Sequence, residues 1–123
     1  GWGAVGCVVA DRVEESRVAM CDINLRAVHL ALENARLNGL RNVSAWCGDG
    51  ADAARDQTFD VVLLNPPVRA GNAVMQKLFN DALRVLKSGG VLWIVLRTAQ
   101  GAKTWQKRLQ NQWGNCETVT IEK

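Results

Sequence analysis

Phe59-Asp60-Val61-Val62-Leu63-Leu64-Asn65-Pro66-Pro67 decides the reading of this chain. Its first six residues form an apolar run of strand length, the pattern of a strand buried inside a parallel sheet. The run stops at Asn65-Pro66-Pro67. Proline fixes φ and removes the N–H, so this turn is stiff and offers only acceptors on that side. Two acceptors result, the Asn65 side-chain oxygen and the Pro66 carbonyl. Such a pair suits a planar NH2 group: it holds both hydrogens and aims the nitrogen lone pair at an electrophile. Asn and Pro are also ordinary turn residues, so the tripeptide alone fits a plain strand-ending turn as well.

On either side of this stretch, strands alternate with helices. A short helix is expected over Ala4 to Arg12, and a strand over 17–21 that ends at Asp22. Asn24 is a good N-cap, and Leu25, Val28, Leu32 and Ala35 recur at helical spacing until Gly39 ends the helix. Val43 to Cys47 reads as a strand closing on Gly48-Asp49-Gly50. After the Asn-Pro-Pro, a helix is expected over 72–87 with Val74, Leu78, Ala82 and Val85 inward, stopped by Gly89-Gly90. A strand over 91–96, a helix from Ala102 to Trp113 and a last strand over 116–121 complete the chain. This βαβα order predicts an α/β fold, a mostly parallel sheet with helices on both faces.

Ligands of such sheets lie beyond the carboxyl ends of the strands. Asp22, Asp49 and Asn65 all fall at strand carboxyl ends, which points to one shared site. Gly1-Trp2-Gly3-Ala4-Val5-Gly6 fits G-x-G-x-x-G, although no strand precedes it. Its glycines would let a ligand approach the backbone, and the next helix would present free N–H groups. Asp22 is placed to accept from two ribose hydroxyls, with a solvated strand-end acid as the plainer reading. Asp49 could accept from an adenine amine, or simply sit in a Gly-Asp-Gly turn.

Composition narrows the function classes. At 123 residues the chain is read as a single domain, and 48% hydrophobic content is enough for a core. A net charge of +3 permits a nucleic-acid partner without indicating one. Cys7, Cys21, Cys47 and Cys116 lie far apart, in no metal-binding spacing, so no metal is expected. Their apolar surroundings predict buried free thiols in a reducing cytoplasm. No apolar run is long enough to cross a membrane. His29 lies mid-helix and is read as a half-buried structural residue. Trp93, Trp105 and Trp113 are expected in the core, whereas Trp2 falls in the glycine loop.

As an ordered set, these motifs resemble the class I S-adenosylmethionine-dependent methyltransferases of the small-domain type, over essentially the whole chain. Gly1 to Gly6 resembles the second half of that family's cofactor loop. Cys21-Asp22-Ile23-Asn24 and Leu32-Glu33-Asn34-Ala35-Arg36-Leu37-Asn38-Gly39-Leu40 resemble its second strand and following helix. Gly48-Asp49-Gly50 is similar to its adenine-side acid, and Asn65-Pro66-Pro67-Val68-Arg69-Ala70-Gly71 to its catalytic loop. Gly101-Ala102-Lys103 and Gly114-Asn115-Cys116-Glu117 fit the C-terminal region of one branch.

The resemblance implies a Rossmann-like methyltransferase fold, S-adenosyl-L-methionine as cofactor and methylation of an exocyclic amine, guanine N2 of ribosomal RNA. It assigns catalysis to Asn65, Pro66 and Pro67. Cofactor binding would fall to Gly1, Trp2, Gly3, Asp22, Ile23, Asp49, Gly50 and Asn65, and substrate binding to Val68 and Arg69. Many relatives carry a base-stacking aromatic where this chain has Val68, and valine has no π face. Arg69, Lys103, Lys107 and Arg108 could form a basic rim for RNA phosphates or be ordinary solvated charges.

The first residue is Gly, and the family's loop opens upstream of it. The expectation is an incomplete domain that lacks the central first strand and the last strand. Such a chain would expose two sheet edges, be marginally stable, or recruit strands from another copy. Two other readings stay open here. One is an inactive fragment or binding module. The other is a nicotinamide-dependent dehydrogenase, which uses the glycine loop but gives the Asn-Pro-Pro no job.

Overall fold

The computed structural model describes residues 3–119, without the Val68 side chain. Gly1, Trp2 and the end of the expected last strand lie outside the described residues. The elements follow in order as α1 (Ala4–Arg12), β1 (Val18–Asp22), α2 (Leu25–Leu37), β2 (Val43–Cys47), β3 (Phe59–Leu64), α3 (Asn72–Val85), β4 (Leu86–Ile94) and α4 (Ala102–Trp113). Short 3-10 turns at Val68–Ala70 and Thr98–Gln100 follow β3 and β4.

The strands form two parallel ladders, β1 with β2 and β3 with β4. Among the described residues β1 and β3 are not hydrogen-bonded to each other, so each ladder presents a free edge. Helices α1 and α2 pack on the first ladder. Helices α3 and α4 cover one face of the second, where Met75, Phe79, Trp105 and Leu109 form a buried cluster against Leu64, Ile94 and Leu96.

Local chemistry accounts for the ends of α2. The Asn24 side chain accepts from the Arg26 N–H at 2.9 Å, the expected N-cap. At the other end Gly39 takes φ +66°, and Leu40 N–H and Gly39 N–H donate to the Ala35 and Arg36 carbonyls. That pair of bonds is a Schellman motif, which a β-carbon at this φ would strain. Gly3 caps α1 at φ +85°, and a β-carbon there would lie 2.7 Å from the Ala31 β-carbon. Packing of α1 on α2 therefore demands this glycine, whatever a ligand requires.

Several expectations are corrected. The residues 115–119 form no strand, so the last expected strand is absent from its described part. Helix α3 stops at Val85, and β4 starts at Leu86 with a bulge before Val91, so the glycines Gly89 and Gly90 lie inside the strand's bulge rather than ending the helix. The buried stripe of α3 is Met75, Phe79, Ala82 and Val85. Val74 is exposed instead, and Leu78 turns toward the Gly48–Gly50 loop. Both spacings are helical, and only the positions of β3, β4 and that loop choose between them.

Trp93 and Trp113 are also not core residues. Register pairs Val61 with Val91 and Leu63 with Trp93, which places these side chains on one face of the second ladder. With Val95 they are 45–68 % exposed, because no described element covers that face. Trp113 is likewise exposed at the end of α4, and His29 stands in solvent on α2. Cys21 and Cys47 are exposed rather than buried, since a two-stranded ladder has too few neighbours to enclose them. All four cysteines are free thiols. Among the described residues no helix is long and apolar enough to cross a membrane, and no group of metal-ligating side chains occurs.

Candidate functional site

The first ladder brings two carboxylates to one end. Its register pairs Asp22 with Cys47, and the Gly48 N–H donates to the Asp22 carbonyl at 3.0 Å. Asp22 thus ends β1 beside the Gly48-Asp49-Gly50 turn that ends β2. One carboxylate oxygen of Asp22 accepts from the Asn24 N–H at 2.8 Å, so this acid also shapes the turn into α2. Ile23, between them, is exposed, and its carbonyl receives the Cys47 thiol at 3.3 Å.

Helix α1 runs antiparallel to these strands. Gly3 lies beside Met20 near the carboxyl end of β1, whereas the Ala10 carbonyl receives the Asn42 amide at 3.1 Å just before β2. The N-terminus of α1 therefore points to the same end as Asp22 and Asp49. Gly3, its N-cap, has no side chain to cap it, and among the described residues its first amides are open as donors.

The second ladder carries the other half. Asn65 leaves the carboxyl end of β3 with its side chain exposed, while Pro66 is buried and anchors the turn. The Pro67 carbonyl accepts from the Ala70 N–H at 2.9 Å and starts the 3-10 turn. Neither the Asn65 side chain nor the Pro66 carbonyl takes part in a hydrogen bond among the described residues. Both acceptors are thus open among the described residues.

Helix α3 joins the two halves, a role missed in the sequence. Lys77 meets Asp81 at 2.8 Å, Asp52 at 2.9 Å and Asp49 at 3.8 Å. The hydrogen bond to Asp81, then that to Asp52, pushes the Lys77 ammonium pKa upward, and Lys77 in turn holds the Asp52 carboxyl below the usual carboxylate range. One helical repeat on, Arg84 donates to the Ala51 and Ala54 carbonyls and to Asp56 at 2.7–2.9 Å. The Lys77–Asp81 spacing is visible in the sequence as an i,i+4 pair. The partners in residues 49–56 are not.

The basic rim is thinner than expected. Arg69, Lys103 and Lys107 are exposed, but the Arg108 guanidinium lies 4.3 Å over the Trp105 ring and serves packing. The Val68 side chain, like Gly1 and Trp2, is outside what the structure describes.

The sequence profile of the Methyltransferase small domain matches residues 1–123. The chain belongs to this methyltransferase family. It is 36% identical to the Bacillus subtilis protein YbxB, an uncharacterized protein, over all of this chain and 62% of that one. It is 32% identical to the ribosomal RNA large subunit methyltransferase G of Streptomyces avermitilis, over 99% of this chain and 32% of that one. A structure of a putative S-adenosyl-L-methionine-dependent methyltransferase from Methanococcus maripaludis superposes with a TM-score of 0.69 at 22% identity, over 91% of this chain and 54% of that one. At that identity the likeness shows the Rossmann-like fold. The chain spans about a third to two-thirds of the length of these relatives.

The cofactor of this methyltransferase family is S-adenosyl-L-methionine. The residues present fit it. Two carboxylates at adjacent strand ends match the hydroxyl and amine donors of adenosine, and the uncapped N-terminus of α1 adds amide donors beside them.

Proposed function

We propose that the protein catalyses S-adenosylmethionine-dependent N-methylation of a planar exocyclic amine, guanine N2 of ribosomal RNA. The observation that carries this reading is the pair of acceptors at Asn65 and Pro66, unengaged among the described residues, in the turn that leaves β3 ahead of α3. The ribosomal RNA methyltransferases among its relatives support the choice of RNA.

The cofactor supplies an electrophilic methyl group on a sulfonium. The chain's own residues bind and orient. Asp22 accepts from the ribose hydroxyls and Asp49 from the adenine amine. Gly3, Ile23 and Gly50 line the same cofactor site. The Asn65 side-chain oxygen and Pro66 carbonyl hold the two hydrogens of the target amine, and Pro67 stiffens the turn. The nitrogen lone pair then faces the methyl in line, and positioning of this kind contributes several kcal/mol. The amine loses its proton after it gains the methyl, so no general base is required, and His29 has no role. Arg69, exposed beside the Asn-Pro-Pro turn, contacts a phosphate.

The direct test supplies tritium-labelled methyl donor and unmodified ribosomal RNA transcripts, then digests the RNA to nucleosides. Label in N2-methylguanosine is expected. Label in another nucleoside overturns the guanine assignment, and label in protein alone overturns the RNA substrate. A second expectation concerns the cofactor. Asp22→Ala should weaken S-adenosylhomocysteine binding by about 1.5–3 kcal/mol, the worth of hydrogen bonds to a charged group. Calorimetry that returns the wild-type affinity would remove Asp22 from the site.

A further inference from the structure

Residues 48–58 form a loop without helix or strand, and nearly all its anchoring comes from α3. Besides the Lys77 and Arg84 contacts, Gln57 N–H and Thr58 N–H donate to the Arg84 and Val85 carbonyls at 3.0 and 2.8 Å. Gly50, at φ +57°, presses so close to α3 that a β-carbon there would lie 3.0 Å from Leu78 and 3.1 Å from Asp81. The loop is therefore seated on the helix from Asp49 to Asp52 and again at Ala54 and 56–58.

Lys77 is the contact that reaches the site. Three carboxylates, Asp49, Asp52 and Asp81, surround this one ammonium. Asp81 is largely buried and fixes the lysine from within its own helix, while Asp49 and Asp52 are more than half exposed. Without the ammonium the three acids repel one another, and the two on the loop are free to swing away from α3. With it, one Asp49 oxygen faces Lys77 and the other is left for a donor, since a carboxylate has two accepting oxygens.

We propose that Lys77 is a positioning residue of the cofactor site: it orients the Asp49 carboxylate toward the adenine amine and locks that loop to the helix that follows the Asn-Pro-Pro turn. The proposal rests on the reading of Asp49 as the adenine-side acid. Coupling follows from the geometry, because α3 begins directly after the Val68–Ala70 turn and carries Lys77 in its second turn.

The test is S-adenosylhomocysteine binding by calorimetry, which needs no turnover. Lys77→Met should weaken binding about fivefold, the upper range for an exposed ion pair. Lys77→Arg should restore most of the loss, because it returns the charge. The penalty of Lys77→Met should vanish for an analogue whose purine carries hydrogen in place of the 6-amine, and in the Asp49→Ala background. A purely structural lysine would weaken both ligands alike, which would overturn the proposal. So would wild-type affinity in Lys77→Met when Asp49→Ala binds weakly. Wild-type affinity in Asp49→Ala overturns instead the reading on which the proposal rests. If Lys77→Met does not fold, Asp81→Asn loosens the same ammonium and should shift the affinity in the same direction.

Discussion

Asn65→Ala is expected to slow methyl transfer by roughly 10²–10³-fold, by analogy with removal of one preorganised hydrogen-bonding partner of a transition state. The side chain is exposed and makes no hydrogen bond among the described residues, so its loss leaves no partner unsatisfied in the protein. Stability should then change by less than about 0.5 kcal/mol, as for surface positions without special contacts. That separation matters, because a slow enzyme that melts normally reports on chemistry. In the proposed mechanism Asn65 accepts from an amine whose nitrogen becomes more positive as the methyl arrives, so the lost bond is worth more in the transition state than before it. The defect should therefore appear mainly in kcat. Turnover equal to wild type in labelled-methyl assays would sink the assignment. A defect confined to KM would make Asn65 a binding residue only.

The second large effect is on stability. Phe79 is fully buried, and its ring meets Trp105 edge-on, with centroids 5.0 Å apart at 64°. It sits where α3, α4 and the covered face of the second ladder converge. Phe79→Ala should cost about 3–5 kcal/mol through lost burial and the cavity left behind. Domains of this kind have only about 5–15 kcal/mol in total. The thermal midpoint should fall by roughly 10–25 °C, or the variant should not fold. Phe79→Leu keeps most of the volume and should cost much less. A melting curve for Phe79→Ala within a few degrees of wild type would show that this cluster is not the core of the second ladder.

The bare face opposite that cluster bears on the same stability. Val61, Leu63, Val91, Trp93 and Val95 form a contiguous apolar surface of the kind that soluble proteins normally cover. Their exposure explains why apolar periodicity put Trp93 in the core. A parallel strand reads as apolar on both faces, and nothing in the run Val91-Leu92-Trp93-Ile94 says which face is covered.

Much of the fold was legible. The bounds of α1, β2, β3 and α4 agree with the sequence reading, because caps, glycines and the Asn-Pro-Pro mark them locally. Asp22, Asp49 and Asn65 stand at strand carboxyl ends as expected, since strand direction alone determines that placement. Other features depended on residues far apart in the chain. Cys21 and Cys47 lie in apolar runs but are exposed, because burial depends on neighbouring strands. Residues 116–119 have strand-like composition, yet form no strand without a paired edge.

The sequence by itself determined the strand and helix order, the parallel pairing and the three polar strand ends. Each follows from periodicity, caps and turn residues within a few positions of one another. Only the tertiary structure decided that α3 holds the 48–58 loop through Lys77 and Arg84, and that Met75 and Phe79, rather than Val74 and Leu78, face the core cluster. A helix presents several faces with acceptable spacing, and its neighbours in space select which face is buried and which charge finds a partner.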